Sequence, residues 1–573
     1  MKGMYLKLKQ WVVKTQEQSI INRMIDESCL SNLTARILYN RNIIKKKEVD
    51  LFLNNSISML NDPFLLCDMQ DAVNRIKKAK TNNEKVAIYG DYDVDGVTSV
   101  SLLYLYLKEF GIDVSYYIPE RIEEGYGINL CALDKIKASG VSLIITVDAG
   151  ITAIEEIKYA YEIGLEVIVT DHHECKEKIP SCVAVINPKH FYCDYPFKYL
   201  AGVGVAFKLV CALEGKRSCE TMLKKYSDIM AIGTVADVMP LIEENRYIVN
   251  QGLKKLNSEN KLCGIKSLIS IIGANDTKKI TAKTIGFLLA PRINAAGRIG
   301  CAMRAVELFI TQDMEKANEI ALLLCEENKQ RQNTENDIIN EAISKIEEEF
   351  DFSEDLVIVL ANEGWHHGII GIVASRLADK YNYPTILICT DGTNGKGSGR
   401  SVKGFNLYLA LEKCSDLLEK YGGHKLAAGL SINVDKIDLF RDKINYYAKN
   451  NTDFETLKPQ IEADCEINSN ELNIDNAKGL SCLEPFGMGN PEPIFLISNL
   501  IIKNIISLSQ GKHIKIIFEK DNIKITALYF GKKYLDFKFF EGDTVDLMCN
   551  YDVNCFRGNE SLQLLIKDMR LCN

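Results

Sequence analysis

Short apolar runs alternate with helical stretches through the first half of the chain. "KVAIYG", "VSYYI", "LIITVDAG" and "EVIVTD" are rich in β-branched residues, while "SLLYLYLKEFG", "ALDKIKASG" and "AIEEIKYAYEIG" carry apolar positions at helical spacing. Strands separated by segments long enough for a helix predict βαβ units and a parallel sheet. Several of these runs end in Asp or Gly-Asp. In doubly wound sheets ligands bind just past the carboxyl ends of the strands, which is where these polar residues fall.

Outside this region the pattern changes four times. Residues 1–75 look helical, with "NRNIIKKKEVDLFL" the clearest amphipathic piece, and residues 195–310 are mostly helical. From Gln312 to Phe350 there is no Gly or Pro in 39 residues. One helix of that length would span nearly 60 Å, or about 1.5 Å per residue, and connect two halves of the molecule. The βα alternation then resumes in "DLVIVLANEG", "GIIGIVASRLADKYN" and "PTILICTDG". After residue 456 short strands ("KIIF", "KITALYFG", "TVDLMCNYDV", "SLQLLIKDM") predict a small β-barrel. The expected division is an N-terminal helical segment (1–75), an α/β domain (76–311), a long helix (312–350), a second α/β domain (351–455) and the barrel (456–573).

The length of 573 residues suits roughly three to four domains, and 47% apolar content suits well-filled cores. No apolar run approaches the roughly 20 residues that span a bilayer. The N-terminal stretch lacks the apolar core and cleavage site of a secretory signal, so a soluble, cytoplasmic protein is expected. The 18 cysteines are scattered singly with no C-x-x-C, and read as small buried apolar residues rather than zinc or disulfide sites. A net charge of −8 argues against a broadly basic surface, but leaves room for a local basic groove.

Four strand-to-loop transitions carry candidate chemistry. "IYGDYDVDGVTS" puts Asp91, Asp93 and Asp95 at alternate positions directly after a strand. Carboxylates this close repel one another unless cations neutralise them, or the turn simply caps the next helix. A calcium loop is excluded because its Gly and closing Glu are not at their offsets. Asp148 ends a second strand, "VIVTDHHE" brings Asp171, His172 and His173, and "IMAIGTVADVMPL" sets Asp237 in apolar surroundings. A lone acid there is costly unless paired or bound to metal. A mixture of carboxylates and imidazoles suits Mn²⁺ or Mg²⁺. Two such ions about 4 Å apart are the arrangement used for in-line phosphoryl displacement.

"DYDVDG", "VDAG", "TDHHE" and "GTVADVMPL" resemble the successive motifs of the DHH phosphoesterases. Further stretches, in order over residues 60–450, are similar to the bacterial branch of that family that digests single-stranded DNA. They are "YYIPERIEEGYGI", "LAGVGVAFKL", "APRINAAGRI", "GWHHGIIGIVASRLADKY", "GSGRSVKGFNL" and "YGGHKLAAG". "LEPFGMGNPEPIF" and "GKHIKIIF" resemble its C-terminal OB-fold region.

The resemblance implies a DHH domain, a DHH-associated substrate-binding domain and an OB fold. It also implies that Asp91, Asp93, Asp148, His172 and Asp237 ligate two Mn²⁺ or Mg²⁺ ions. His173 would contact the reacting phosphate or complete the site, and Asp95 would be a ligand or an acceptor orienting one. Some relatives have a histidine where this chain has Ala87, which fits the exonuclease branch. Arg121, Arg298, His366, His367, Ser398, Arg400 and His424 would meet the DNA, with "GKGSGRS" cradling a phosphate. The barrel would track one strand with Lys interleaved with Tyr and Phe. The implied activity is 5′→3′ exonucleolysis of single-stranded DNA to 5′-mononucleotides in recombination and repair. Single-strand-binding protein and a helicase are the implied partners, and the chain is expected to be a monomer away from membranes. The alternatives are a DHH phosphoesterase acting on short RNA or cyclic dinucleotides, and an inactive replication scaffold of the same fold.

Overall fold

The computed structural model describes residues 9–572, apart from 55, 122–123, 126, 216–217, 274–278, 453–457 and 557–558. The apolar runs of the first half form a five-stranded sheet in the order Val114–Tyr117, Val86–Gly90, Leu143–Val147, Glu166–Thr170, Ala184–Ile186. All its pairings are parallel. Alternate residues of each strand serve opposite faces, and both faces are covered. Val86 and Ile88 join the larger core with the helices Val94–Glu109 and Gly202–Glu214, while Ala87 and Tyr89 pack on the other side. This explains why the runs read as continuously apolar. The order reverses between Val86–Gly90 and Leu143–Val147, so the crevice of the sheet opens where these two strands end.

The second half carries a mixed five-stranded sheet: Leu418–His424, Ala427–Asn433, Asn394–Arg400, Thr385–Thr390, Ile358–Asn362. Only the last pairing is parallel. Helix Met314–Glu349, 36 residues long, joins the halves. Its Ile320, Ala321 and Leu324 are buried in the first core and its Ile338, Ala342 and Ile346 in the second.

Strands Phe495–Leu508, His513–Lys520, Ile523–Tyr529, Asn559–Leu571 and Thr544–Phe556 close into a barrel through pairing of the first with the last. No helix is long and apolar enough to cross a membrane among the described residues.

The N-terminal segment read as helical contains a strand, Gln10–Val13, paired in parallel with Gln460–Ala463. Its apolar residues Ile21, Leu33, Ile37 and Phe52 share one core with the barrel. Arg246 on the helix Glu243–Leu256 ties both to the first half. It is fully buried, donates to the carbonyls of Phe52, Leu483 and Glu484 at 3.1, 3.0 and 2.8 Å, and stacks on the Phe52 ring.

Candidate metal and nucleic-acid site

The acids converge at the crevice of the parallel sheet. Asp91 follows the strand Val86–Gly90 and is buried. Asp93 is the N-cap of the next helix: its Oδ1 accepts from the amides of Asp95 and Gly96 at 2.9 and 3.1 Å. The capping role and a place in the acidic cluster therefore coexist in one residue. Gly96 is required by crowding, since a Cβ there would lie 2.4 Å from the Asp91 carbonyl oxygen.

Asp148 ends the neighbouring strand in the left-handed region, with φ of 56°. Its carboxylate lies against the N-terminus of the helix Gly202–Glu214, where a Cβ on Gly202 would come within 2.8 Å of Oδ1. The same helix end fixes Asp95, whose Oδ2 and Oδ1 accept from the amides of Gly202 and Val203 at 2.6 and 2.9 Å. Both Asp95 oxygens are thus engaged by backbone, with favourable dipole geometry.

His172 is buried at the end of the strand Glu166–Thr170. Its Nε2 lies 3.0 Å from Asp148 Oδ1, 3.6 Å from Asp237 Oδ2 and 3.8 Å from Asp95 Oδ2. Asp237 reaches the cluster from the C-cap of the helix Cys219–Ala236. Ligand atoms of three overlapping groups lie within 4.8 Å of one another: Asp91, Asp93 and Asp148; Asp148, His172 and His173; Asp95, His172 and Asp237.

Burial, followed by mutual repulsion, pushes the carboxyls of Asp91, Asp95, Asp148 and Asp237 above their ordinary range. Burial and the charge of His173 lower His172 to about 3, leaving a neutral imidazole. Buried Asp91 Oδ1, Asp148 Oδ1, His172 Nε2 and Asp237 Oδ2 have no hydrogen-bond partner. Unpaired oxygens crowded round a neutral imidazole nitrogen are costly on their own, and they are the donor set a hard divalent cation takes. The residues present fit the implied metal.

His173 differs from its neighbour. Its Nδ1 sits 2.7 Å from Asp171 Oδ1, and its side chain is partly exposed. Burial would lower its pKa, but the hydrogen bond and charge of Asp171, with Asp237 and Asp95, hold it at about 9. Asp171 is itself fixed by the amides of Ile151, His172 and His173. Burial alone would raise its carboxyl, but His173 and these amides hold it below the usual range. The sequence offered Asp171 only as one more acid of the cluster; the structure turns it toward His173. Its signal was its place directly before two histidines.

Arg121 and Arg298 of the first half, with His366, His367 and Arg400 of the second, form a basic cluster at this edge. Arg121 stacks on the Tyr92 ring, and its charge acts on Asp91, Arg298, His366, His367 and Arg400. Arg298 Nη1 donates to the Gly368 carbonyl at 3.0 Å; burial and then the charges of Arg121 and Arg331 lower it to about 10. His366 caps the helix His367–Tyr381 through Nδ1, at 3.1 Å from the Gly368 amide. Burial lowers both His366 and His367.

Ser398 and Arg400 lie on the strand Asn394–Arg400, with Arg400 Nη1 3.3 Å from Ser398 Oγ. "GKGSGR", expected to cradle a phosphate, lies within a regular strand. His424 is exposed and level with Arg400 by register, one strand removed, across Ala427.

Comparison with known proteins agrees with this arrangement. The profile of the DHH family N-terminal domain matches residues 85–234, that of the DHHA1 domain residues 353–450, and that of the RecJ OB domain residues 463–568. The single-stranded-DNA-specific exonuclease RecJ of Bacillus subtilis (strain 168) is 38% identical over 562 residues, covering 98% of this chain and 70% of that protein. RecJ of Haemophilus influenzae is 34% identical, covering 97% of this chain and 98% of that protein. The crystal structure of Thermus thermophilus RecJ in complex with Mn²⁺ superposes with a TM-score of 0.85 at 28% identity, over 98% of this chain and 80% of that one. Its complex with Mg²⁺ gives 0.79 at 26% identity, over 98% and 79%. An Asp/His cluster at the switch point of a DHH sheet, joined to DHHA1 and RecJ OB domains, therefore makes this chain a member of the RecJ single-stranded-DNA-specific exonucleases of the DHH superfamily.

Proposed function

We propose that this exonuclease digests single-stranded DNA from the 5′ end and releases 5′-mononucleotides. The observation that carries the reading is the set of unpaired buried atoms on Asp91, Asp148, His172 and Asp237, beside a basic cluster whose Arg121 acts on Asp91 and whose Arg298 feels Asp93. Asp91, Asp93, Asp148, His172 and Asp237 would hold two Mn²⁺ or Mg²⁺ ions. Divalent ions there supply Lewis acidity toward the phosphate and an activated water.

The chain's own groups do the rest. Asp95, anchored to the helix end at Gly202, orients the cluster from behind. His173, protonated and aligned by Asp171, donates a hydrogen bond to a phosphate oxygen as charge develops on it. Arg400 with Ser398, Arg298 and Arg121 hold the terminal nucleotide's phosphate, which sets polarity and product length. His366, His367 and His424 border that nucleotide, and the barrel follows the trailing strand. Recombination and repair beside a single-strand-binding protein and a helicase is the setting this activity suits.

The test is single-turnover digestion of 5′-labelled single- and double-stranded oligonucleotides with Mn²⁺, Mg²⁺ or EDTA. Early release of labelled mononucleotide, from single strands only and lost in EDTA, is expected. Label that stays on the long fragment until late would reverse the polarity. Cleavage confined to di- or trinucleotides would put the chain with the small-substrate phosphoesterases instead.

A further inference from the structure

The long helix Met314–Glu349 changes character at its middle. Between its two apolar ends the buried residues are Asn328, Arg331 and Glu335. A buried charge is tolerated only when paired, and Glu335, 1% exposed, is paired twice. Arg331 Nη1 lies 2.6 Å from Oε2, and Arg376 Nε lies 2.6 Å from Oε1. Arg331, 8% exposed, also donates to Asn328 Oδ1 through Nε and Nη2 at 3.3 and 3.0 Å. The Arg331 fork is therefore fixed, while Arg376 meets Glu335 through Nε alone. Arg376 belongs to the helix His367–Tyr381, so the triad joins the two halves at their junction.

The charge at this junction does not balance. Two guanidinium groups share one carboxylate, and Arg331 also feels Arg292 and, through Arg298, the row that begins at Arg121. Arg292 and Arg298 donate to backbone carbonyls of Leu288 and Gly368, which bring no negative charge, and Arg292 Nε is buried without a partner. A row of like charges is repulsive unless an anion lies along it. Arg376 is 54% exposed and is the member open to solvent. It stands eight residues beyond Gly368, about 12 Å along the helix axis from the end where Arg298 and His366 meet.

We propose that Arg376, paired with Glu335 beside the buried Arg331, forms a second phosphate-binding point for the single strand. It would take an internal phosphate of the trailing DNA beyond the terminal nucleotide. Glu335 is the positioning residue: it pairs with both guanidinium groups across the junction. This rests on the reading that the strand lies between the two halves.

The test compares binding of 5′-phosphorylated, 3′-fluorescein oligothymidylates of three and twelve nucleotides in EDTA over a salt series. Arg376→Gln is expected to weaken the twelve-mer several-fold, with no matching loss for the three-mer. It should also reduce the slope of log affinity against log salt by about 0.7, the value for one phosphate contact on a single strand. Arg376→Lys keeps the charge and so the slope, while losing part of the affinity because an ammonium cannot fork.

Equal losses on both lengths, an unchanged slope, or identical behaviour of the Lys and Gln variants would overturn the second point. If the unaltered protein binds the twelve-mer and Arg376→Gln behaves like it, only this inference fails. If the unaltered protein binds neither oligonucleotide, the exonuclease reading fails with it.

Discussion

Gly202→Ala is a one-carbon change aimed at the centre of the cluster. The added methyl would lie 2.7, 2.8 and 2.9 Å from Cβ, Oδ1 and Cγ of Asp148, where ordinary contact begins at 3.4 Å. Neither side yields easily. The Gly202 amide is hydrogen-bonded to Asp95 at 2.6 Å, and Asp148 sits in a left-handed turn at the end of a buried strand. Relief therefore needs a displacement of about 0.7 Å in Asp148, Asp95 or both, at an overpacking cost of about 1–3 kcal/mol. A misplacement of about 1 Å in a reacting geometry costs about 10²-fold, so a fall of about 10- to 100-fold in single-turnover cleavage is expected. The metal concentration for half-maximal activity should rise as well. The assay is a titration of Mn²⁺ against release of 5′-labelled nucleotide, with thermal melting to show that the fold survives. Wild-type rate and wild-type metal dependence in this variant would refute the assignment of Asp148 and the helix end at Gly202 to the site.

Other consequences are open to direct measurement. His173→Gln should lower cleavage by about 10²–10³-fold, the usual cost of losing one donor to a developing oxyanion, while Mn²⁺ binding followed by calorimetry persists. Because the His173 imidazolium holds its proton up to about 9, the rate of the unaltered enzyme should fall as pH rises past that value. Without metal, the raised carboxyls of Asp91, Asp148 and Asp237 bind more protons in the folded than in the unfolded chain. Stability of the metal-free protein should therefore fall as pH rises above the ordinary Asp range of about 4, and Mn²⁺ should restore it by mass action; a melting temperature insensitive to both would contradict the cluster. Arg246→Met would take this donor from the carbonyls of Phe52 and Glu484, at about 1–3 kcal/mol each at most, while that of Leu483 keeps the Asn490 amide. Faster amide exchange or proteolysis near residues 482–485 is expected, and unchanged protection there would show that the barrel is held by other contacts.

Much of the site was legible because it depends on local pattern. An apolar run that stops at an acid marks a strand end, and the reversal of strand order brings such ends together. Asp91, Asp148 and His172 could be picked out this way, whereas Asp237, expected at a strand-to-loop transition, sits at the C-cap of the helix Cys219–Ala236. What stayed hidden depends on partners remote in sequence. Asp95 is held by amides more than a hundred residues away, so its pattern could not separate a ligand from an acceptor. Glu335 lies in a stretch that reads as a plain connector, and its partner Arg376 belongs to another lobe. The strand Gln10–Val13 pairs with Gln460–Ala463, and nothing local distinguishes it from the surrounding helical segment. His366 illustrates a different limit: the residue type fits both a cap and a substrate contact, and its cap geometry leaves the other ring nitrogen to the second role.

The unbroken 36-residue helix has a consequence for how this chain can change over time. It is anchored in one core near Ile320 and in the other near Ile346, with no loop between to absorb slack. Inserting or deleting a single residue there would lengthen or shorten it by only about 1.5 Å but would turn one lobe by about 100° relative to the other. The helix is thus a torsional ruler. Side chains along it can drift, whereas its residue count is constrained by the angle at which the acidic and basic clusters face each other. Natural length variation should collect in the surface turns and be rare between Ile320 and Ile346.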